Sequence, residues 1–336
     1  MDLASTIYAP ARAKAPWLLE DLFAPASVRH YAFGRQALAD ALRLAGAAGK
    51  TVLLPAFICR EVLAAVAAVA ARPVYYSVTP GLTPEEPPER WPDASAVLAV
   101  DYFGWPQDLA PFEAYARRTR AVIIEDAAHA LFSRDASGRL LGSRAPLGIL
   151  SPRKSLPLPN GGTLIASAST SPRQLPPQAA FEPMPGLRST LKAVSRPLLA
   201  LAGAKAAHAA LAAWRAASAK TPPAADAERV VPEEAPCPEL ARPLVCGDPS
   251  IEILRRRALW SLCAGLAAKA GCAPIFASLP DGVSPYAYAF RAGDRAAARA
   301  LAAEGLPILP WPDLPSALAD GAPAHYRDVQ LAHFLW

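Results

Sequence analysis

Short apolar runs alternate with amphipathic stretches through the first half of the chain. The spacing predicts a helix over "FGRQALADALRLAG" (33–46), a buried strand in "TVLLPAFI" (51–58) and a second helix in "REVLAAVAAVAA" (60–71). Further strands are read in "RPVYYSV" (72–78), "SAVLAVDYFG" (95–104) and "RAVIIEDAAH" (120–129), with a helix in "LAPFEAYARRT" (109–119) between the last two. Strands that are apolar on both faces and separated by helices predict an α/β fold whose mostly parallel sheet is covered by helices on both faces. From residue 172 the pattern loosens. A helix-like segment falls near 190–218, and a stretch rich in proline and charge (220–250) reads as a linker or surface excursion. Beyond it come a helix (251–271), a strand "YAYAFRA" (286–292), a helix closed by Gly305 (294–305) and a short strand "LPILPWP" (306–312), a smaller C-terminal α+β domain. The expected division is a large domain over 1–219, the linker over 220–250 and the small domain over 251–336.

In parallel sheets ligands collect at the carboxyl ends of the strands, so chemistry is sought where an apolar run stops. "VIIED" stops at Glu125-Asp126, "PLGILS" at Ser151 with Lys154 three residues on, "VLLP" at Pro55 before Phe57 and Cys59, and "VLAVD" at Asp101-Tyr102. An exposed loop lysine needs no ligand, and that is the ordinary reading of Lys154. A crowded lysine opposite an aspartate has another use, because a neutral amine forms an imine with an aldehyde. Pyridoxal 5'-phosphate (PLP) is such an aldehyde. It also asks for a carboxylate at its pyridine nitrogen, a flat or soft side chain over its ring and an anion cup for its phosphate. Asp126 is the candidate carboxylate. Gly34, Arg35 and Gln36 open a helix, whose free amides suit a phosphate, and Ser151 in S-x-x-K spacing can serve the same group.

Composition adds bounds. The chain has 336 residues, 53% hydrophobic and 19% charged, enough for a large core. Its formal charge of +5 is spread along the chain except at Arg255-Arg256-Arg257, which argues against a nucleic-acid partner. The five cysteines form no C-x-x-C pair and no apolar leader opens the chain, so a reducing cytoplasm is expected. "RPLLALAGAKAAHAALAAW" (196–214) is mostly alanine with Lys205 and His208 inside it, and reads as an amphipathic helix with no membrane insertion. No metal is expected, because the histidines lack paired ligand spacing apart from His325 and His333 near the end.

In order, "GRQAL", "LLPAFIC", "DYFG", "IIEDAAHA" and "SPRKSLPLPNGG" resemble the DegT/DnrJ/StrS family of PLP-dependent sugar aminotransferases, which have the fold-type I (aspartate-aminotransferase) architecture. Lys154 stands seven residues before Gly161-Gly162, the family's spacing. The resemblance covers residues 30 to about 170 strongly and 250–315 more loosely. It implies that Lys154 carries the cofactor and shuttles protons, that Asp126 pairs with the pyridine nitrogen and that His129 lies near the ring hydroxyl. It implies also that Gly34, Arg35 and Gln36 occupy the phosphate cup and that Cys59 stands where the family often has an aromatic ring. The activity implied is transfer of an amino group from an amino acid, glutamate, to a nucleotide-linked keto sugar, in a homodimer with the site at the subunit interface. The same scaffold also serves lyase-type PLP enzymes and could serve a catalytically silent binding protein. Two departures stand out. Ile149 holds the place of the family's serine five residues before the lysine, leaving Ser151 for the phosphate. The sequence stops at "LAHFLW", so either the small domain is abbreviated or the sequence is truncated, and an exposed "FLW" end would invite aggregation.

Overall fold

A computed structural model describes residues 12–168, 175–183, 227–291 and 293–334. Its elements are β1 (Arg12–Trp17), β2 (Ser27–Tyr31), α1 (Gly34–Leu44), β3 (Thr51–Pro55), α2 (Glu61–Ala67), β4 (Arg72–Tyr76), β5 (Ala96–Val100), α3 (Ala110–Thr119), β6 (Val122–Asp126), β7 (Leu147–Leu150) and β8 (Gly162–Ala166). They continue with β9 (Leu244–Cys246), α4 (Pro249–Lys269), β10 (Ala287–Arg291), α5 (Arg295–Ala303), β11 (Ile308–Pro310) and β12 (Val329–His333).

Seven strands form the central sheet in the order β2-β8-β7-β6-β5-β3-β4. The five from β7 to β4 are mutually parallel; β8 runs antiparallel to β7, and β2 antiparallel to β8. Every residue of β5 is buried, as a strand covered on both faces requires. Alternate residues of β7 and β8 enter different apolar clusters: Leu147, Ile149, Leu164 and Ala166 join the larger core, while Leu150 and Ile165 join a second one with Leu19 and Phe23. Both faces are therefore covered, as the sequence predicts.

Two strands of this sheet escape the apolar-run reading. β2, "SVRHY", is an edge strand in which His30 bonds Thr163 of β8 (Nδ1–Oγ1 3.2 Å), so polar residues carry part of its pairing. β8 is wholly buried but opens on Gly162, and the glycine pair reads as a turn. In the stretch read as a linker or surface excursion, part of residues 227–250 is packed and part is exposed, Val230 and Val245 among the latter. Cys237, Leu240 and Leu244 are buried in the second cluster, and β9 pairs antiparallel with β1. The helix-like segment near 190–218, including 196–214, lies outside the described residues.

β12 is the middle strand of a second sheet, β10-β12-β11, antiparallel throughout. This corrects part of the expectation of an exposed "FLW" end: Phe334 is fully buried, because the strand leading to it is paired on both sides, while Leu335 and Trp336 lie outside the described residues. One apolar cluster runs from Leu53 and Ile124 of the central sheet to Leu259 of α4, Tyr288 of β10 and Leu331 of β12.

Candidate active site

The parallel strands deliver their carboxyl ends to one edge, and there a cavity of about 270 Å³ opens. Gly34, Arg35, Cys59, Asp126, His129, Ser151 and Lys154 all line it, together with Arg153, Glu61, Tyr286 and Trp311. Asp126 ends β6 in register with Ile149 of the neighbouring β7, and the turn Pro152–Lys154 follows that strand. Gln36 stands apart from the lining. Its Oε1 accepts from Phe33 N (2.9 Å), and its Nε2 donates to Pro232 O (2.9 Å) and Glu234 O (3.0 Å), so its side chain caps α1 and ties down the chain around 232–234.

Lys154 Nζ lies 3.0 Å from His129 Nε2. Burial pushes the lysine below its ordinary range; the Arg153 charge adds to this, while Asp126 opposes it. The His129 ring is stacked with Tyr286 (4.3 Å, 5°) and lies nearly parallel to Phe103 (5.7 Å, 14°), which fixes its plane while Nε2 meets the lysine. Burial, then the Lys154 and His333 charges, hold His129 well below its ordinary value, so it stands neutral. Cys59, its thiol pushed up to about 12 by burial, is a small soft neighbour rather than a nucleophile.

Asp126 is buried, and its Oδ1 accepts from Ala128 N (3.0 Å). Burial raises its pKa, against the opposing pull of the Ala128 amide and the Lys154 charge. Among the described residues it forms no ion pair, although it lines the cavity. Glu125, one residue earlier, points to the other side and meets Arg144 (Nε–Oε1 2.6 Å), which also binds Asp101 (2.7 Å). Asp101 and Glu125 are thus spent on a buried ion cluster. Burial and the Glu125 charge raise Asp101 well above the carboxylate range, and its Oδ2 has no hydrogen-bond partner among the described residues.

The cup is built by close backbone approach. A Cβ on Gly162 would lie 2.2 Å from the Phe33 carbonyl carbon and 2.5 Å from Gly34 N, so only glycine lets β8 pass beneath the start of α1. Gly161 N donates to Ala32 O (2.7 Å) in the same place. Gln36 N already donates to Phe33 O (3.0 Å), which leaves the Gly34 and Arg35 amides as the open ones at the start of α1, and Ser151, 4% exposed, sets its Oγ 3.4 Å from where a Gly34 side chain would begin. In "DYFG", a Cβ on Gly104, at φ +102°, would meet Ser284 O at 2.6 Å, so this glycine admits the segment leading to Tyr286.

These donors fit PLP. A buried carboxylate without a cation awaits a protonated pyridine nitrogen, a helix start with a buried hydroxyl awaits a phosphate, and a desolvated lysine lies between them. Arg153, Tyr286 and Trp311 are members of the lining that single-strand-end reasoning missed. The strand segments "YAYAFRA" and "LPILPWP" carry the signal for the latter two.

A mostly parallel seven-stranded sheet with a cavity at its carboxyl edge is the fold-type I architecture. Residues 31–171 match the DegT/DnrJ/EryC1/StrS aminotransferase family, so the resemblance read from the motifs is shown over that segment. Three solved structures share the fold. An aminotransferase of that family from Brucella abortus has 16% identity and a TM-score of 0.55, over 94% of this chain and 83% of its own. The aminotransferase TlmJ from Streptoalloteichus hindustanus has 20% and 0.57, over 91% and 80%. NtdA from Bacillus subtilis, with the cofactor PMP bound, has 15% and 0.54, over 96% and 73%. No curated protein sequence matches. The family is one of PLP-dependent aminotransferases, and PMP-bound structures occur among the neighbours.

Proposed function

We propose that the protein is a PLP-dependent aminotransferase that takes an amino group from an amino acid, glutamate, and gives it to a nucleotide-linked keto sugar, in the synthesis of a polysaccharide or a glycosylated metabolite. It works as a cytoplasmic homodimer. The observation that carries this reading is the meeting of Lys154 Nζ with His129 Nε2 in the cavity that Asp126 also lines. When bound, the cofactor supplies the aldehyde that receives the amino group and the ring that accepts electrons from the substrate carbon. Lys154, held neutral more readily than a solvated lysine, would hold the cofactor through that aldehyde, and its Nζ is the group that would move the proton of the substrate carbon. His129 accepts a hydrogen bond from the lysine at Nε2 and holds Nζ at the cavity wall, its own ring fixed by Tyr286 and Phe103. Asp126 holds a proton on the pyridine nitrogen, and the apolar wall of Trp311 and Ile149 keeps water from the lysine.

The test is an absorbance spectrum of the purified protein with PLP before and after borohydride, followed by peptide mapping, for the wild type and Lys154→Ala. A band near the visible edge that is trapped on Lys154 and bleached by glutamate, with release of 2-oxoglutarate, is expected. Bleaching without keto-acid release would indicate a lyase-type reaction. The absence of any adduct on Lys154 would leave the fold without this chemistry.

A further inference from the structure

Two guanidinium groups share one ring at the cup. Arg35, in the first turn of α1, lies over Phe33 at 5.2 Å, and Arg153, next to Lys154, lies over the same ring at 5.5 Å. Both line the cavity, and among the described residues neither has a hydrogen-bond or ion-pair partner. Elsewhere Arg144, Arg255, Arg256 and Arg291 are all committed to carboxylates or carbonyls. Glu61 and Glu234 act on Arg153 through space without bonding it. Ser151 Oγ, on a side chain 96% buried by its 4% exposure, also has no hydrogen-bond partner among the described residues and is directed at Gly34. Two forked cations beside one ring, a buried hydroxyl and the open amides of Gly34 and Arg35 thus line the same cavity, which suits a doubly charged anion.

We propose that Arg153 and Arg35, fixed against Phe33, bind the cofactor phosphate, with the Arg153 guanidinium supplying donors where Ile149, in place of a serine hydroxyl, supplies none. The inference rests on the proposed function. It adds to that reading two cations of this chain at the phosphate end of the cavity.

Binding of PLP, of pyridoxal (the same ring without phosphate) and of inorganic phosphate is measured by quenching of tryptophan fluorescence, since Trp311 lines the cavity. The wild type binds PLP more tightly than pyridoxal, and the ratio measures the phosphate site. In Arg153→Met and in Arg35→Met this ratio falls by about tenfold or more, as loss of a charge-assisted contact predicts, because any change at Lys154 acts on PLP and pyridoxal alike and cancels in the ratio. Inorganic phosphate ceases to compete with PLP. Arg153→Lys, which keeps the charge but loses the fork and the stacking, recovers part of the ratio and carries the test should the methionine variant fail to fold. An unchanged ratio in both methionine variants overturns the proposal. So does a variant that keeps the PLP ratio but loses competition by glutarate, because that assigns Arg153 to the carboxylate of the amino donor. If the wild type binds inorganic phosphate but neither pyridoxal nor PLP on Lys154, the proposed function fails while the anion site stands.

Discussion

Asp126 is a carboxylate that its surroundings oppose until a cation arrives. Its folded pKa is raised by burial, so between its unfolded value, about 3.8, and the higher folded value the folded chain holds more protons than the unfolded one. Stability of the cofactor-free protein therefore falls as pH rises through that window, and the cost persists above it. Asp126→Asn keeps an acceptor for Ala128 N and removes the charge. It is expected to stabilise the cofactor-free protein by roughly 1 kcal/mol at pH 7 and to flatten Tm against pH over the window, while kcat falls about 10²–10³-fold. Opposite movements of Tm and kcat check it. Lys154 gives a second profile. Its lowered pKa means that the neutral amine appears as pH rises through a value below 10.5, so borohydride trapping of PLP reaches half its maximum below that pH. Arg153→Met removes a charge that depresses it and is expected to move the profile upward. Asp126 and Lys154 were legible because each follows an apolar run directly. Arg153 was not: a surface-type residue beside a lysine carries no periodic signal, and only the shared Phe33 ring reveals its place.

At the scale of elements, the strands the sequence conveyed are those buried on both faces, such as β5 and β6, because continuous apolarity is their signature. β2 and β8 lack it, one through Arg29 and His30 and the other through its opening glycine, yet these two set the floor under the phosphate cup. The Gly161-Gly162 pair was legible as a spacing, while its cause, the passage of β8 under Phe33, is visible only in three dimensions. Gly162→Ala forces backbone against backbone, since the 2.2 Å contact is with a carbonyl carbon that cannot rotate away. It should cost about 3 kcal/mol and weaken PLP more than pyridoxal, because the start of α1 is what moves. Gly265→Ala is the contrasting case. It lies inside α4 with nothing within 4 Å of the added carbon, and should stabilise by about 0.5–1 kcal/mol without changing either ligand's affinity. Thermal melts of both variants, paired with PLP and pyridoxal titrations, check the contrast.

Across the whole molecule, the dense basic run Arg255-Arg256-Arg257 suggests a charged surface in sequence, but its middle member is 1% exposed. Arg256 is paired with Glu252 of its own helix and donates to Pro285 O (3.2 Å), Tyr286 O (3.4 Å), Lys154 O (3.4 Å), Ser155 O (3.4 Å) and Phe334 O (3.4 Å). One guanidinium thereby joins α4, the turn that carries the lysine, the segment that carries the Tyr286 wall and the end of β12. This junction, with the apolar cluster that runs through both sheets, makes the two sheets one cooperative unit. In the wild type, loss of helix signal and loss of the cofactor band are expected to coincide on heating. Arg256→Met leaves Glu252 with one cation fewer and several buried carbonyls without a donor, so it should lower stability by about 3–5 kcal/mol in a single transition. Because it frees the backbone on either side of Lys154, it should also slow PLP attachment at temperatures where the variant is fully folded. A variant that melts in two steps, with the central sheet keeping the wild-type Tm, would show that the sheets are held together by apolar contact alone and that Arg256 serves only the smaller one.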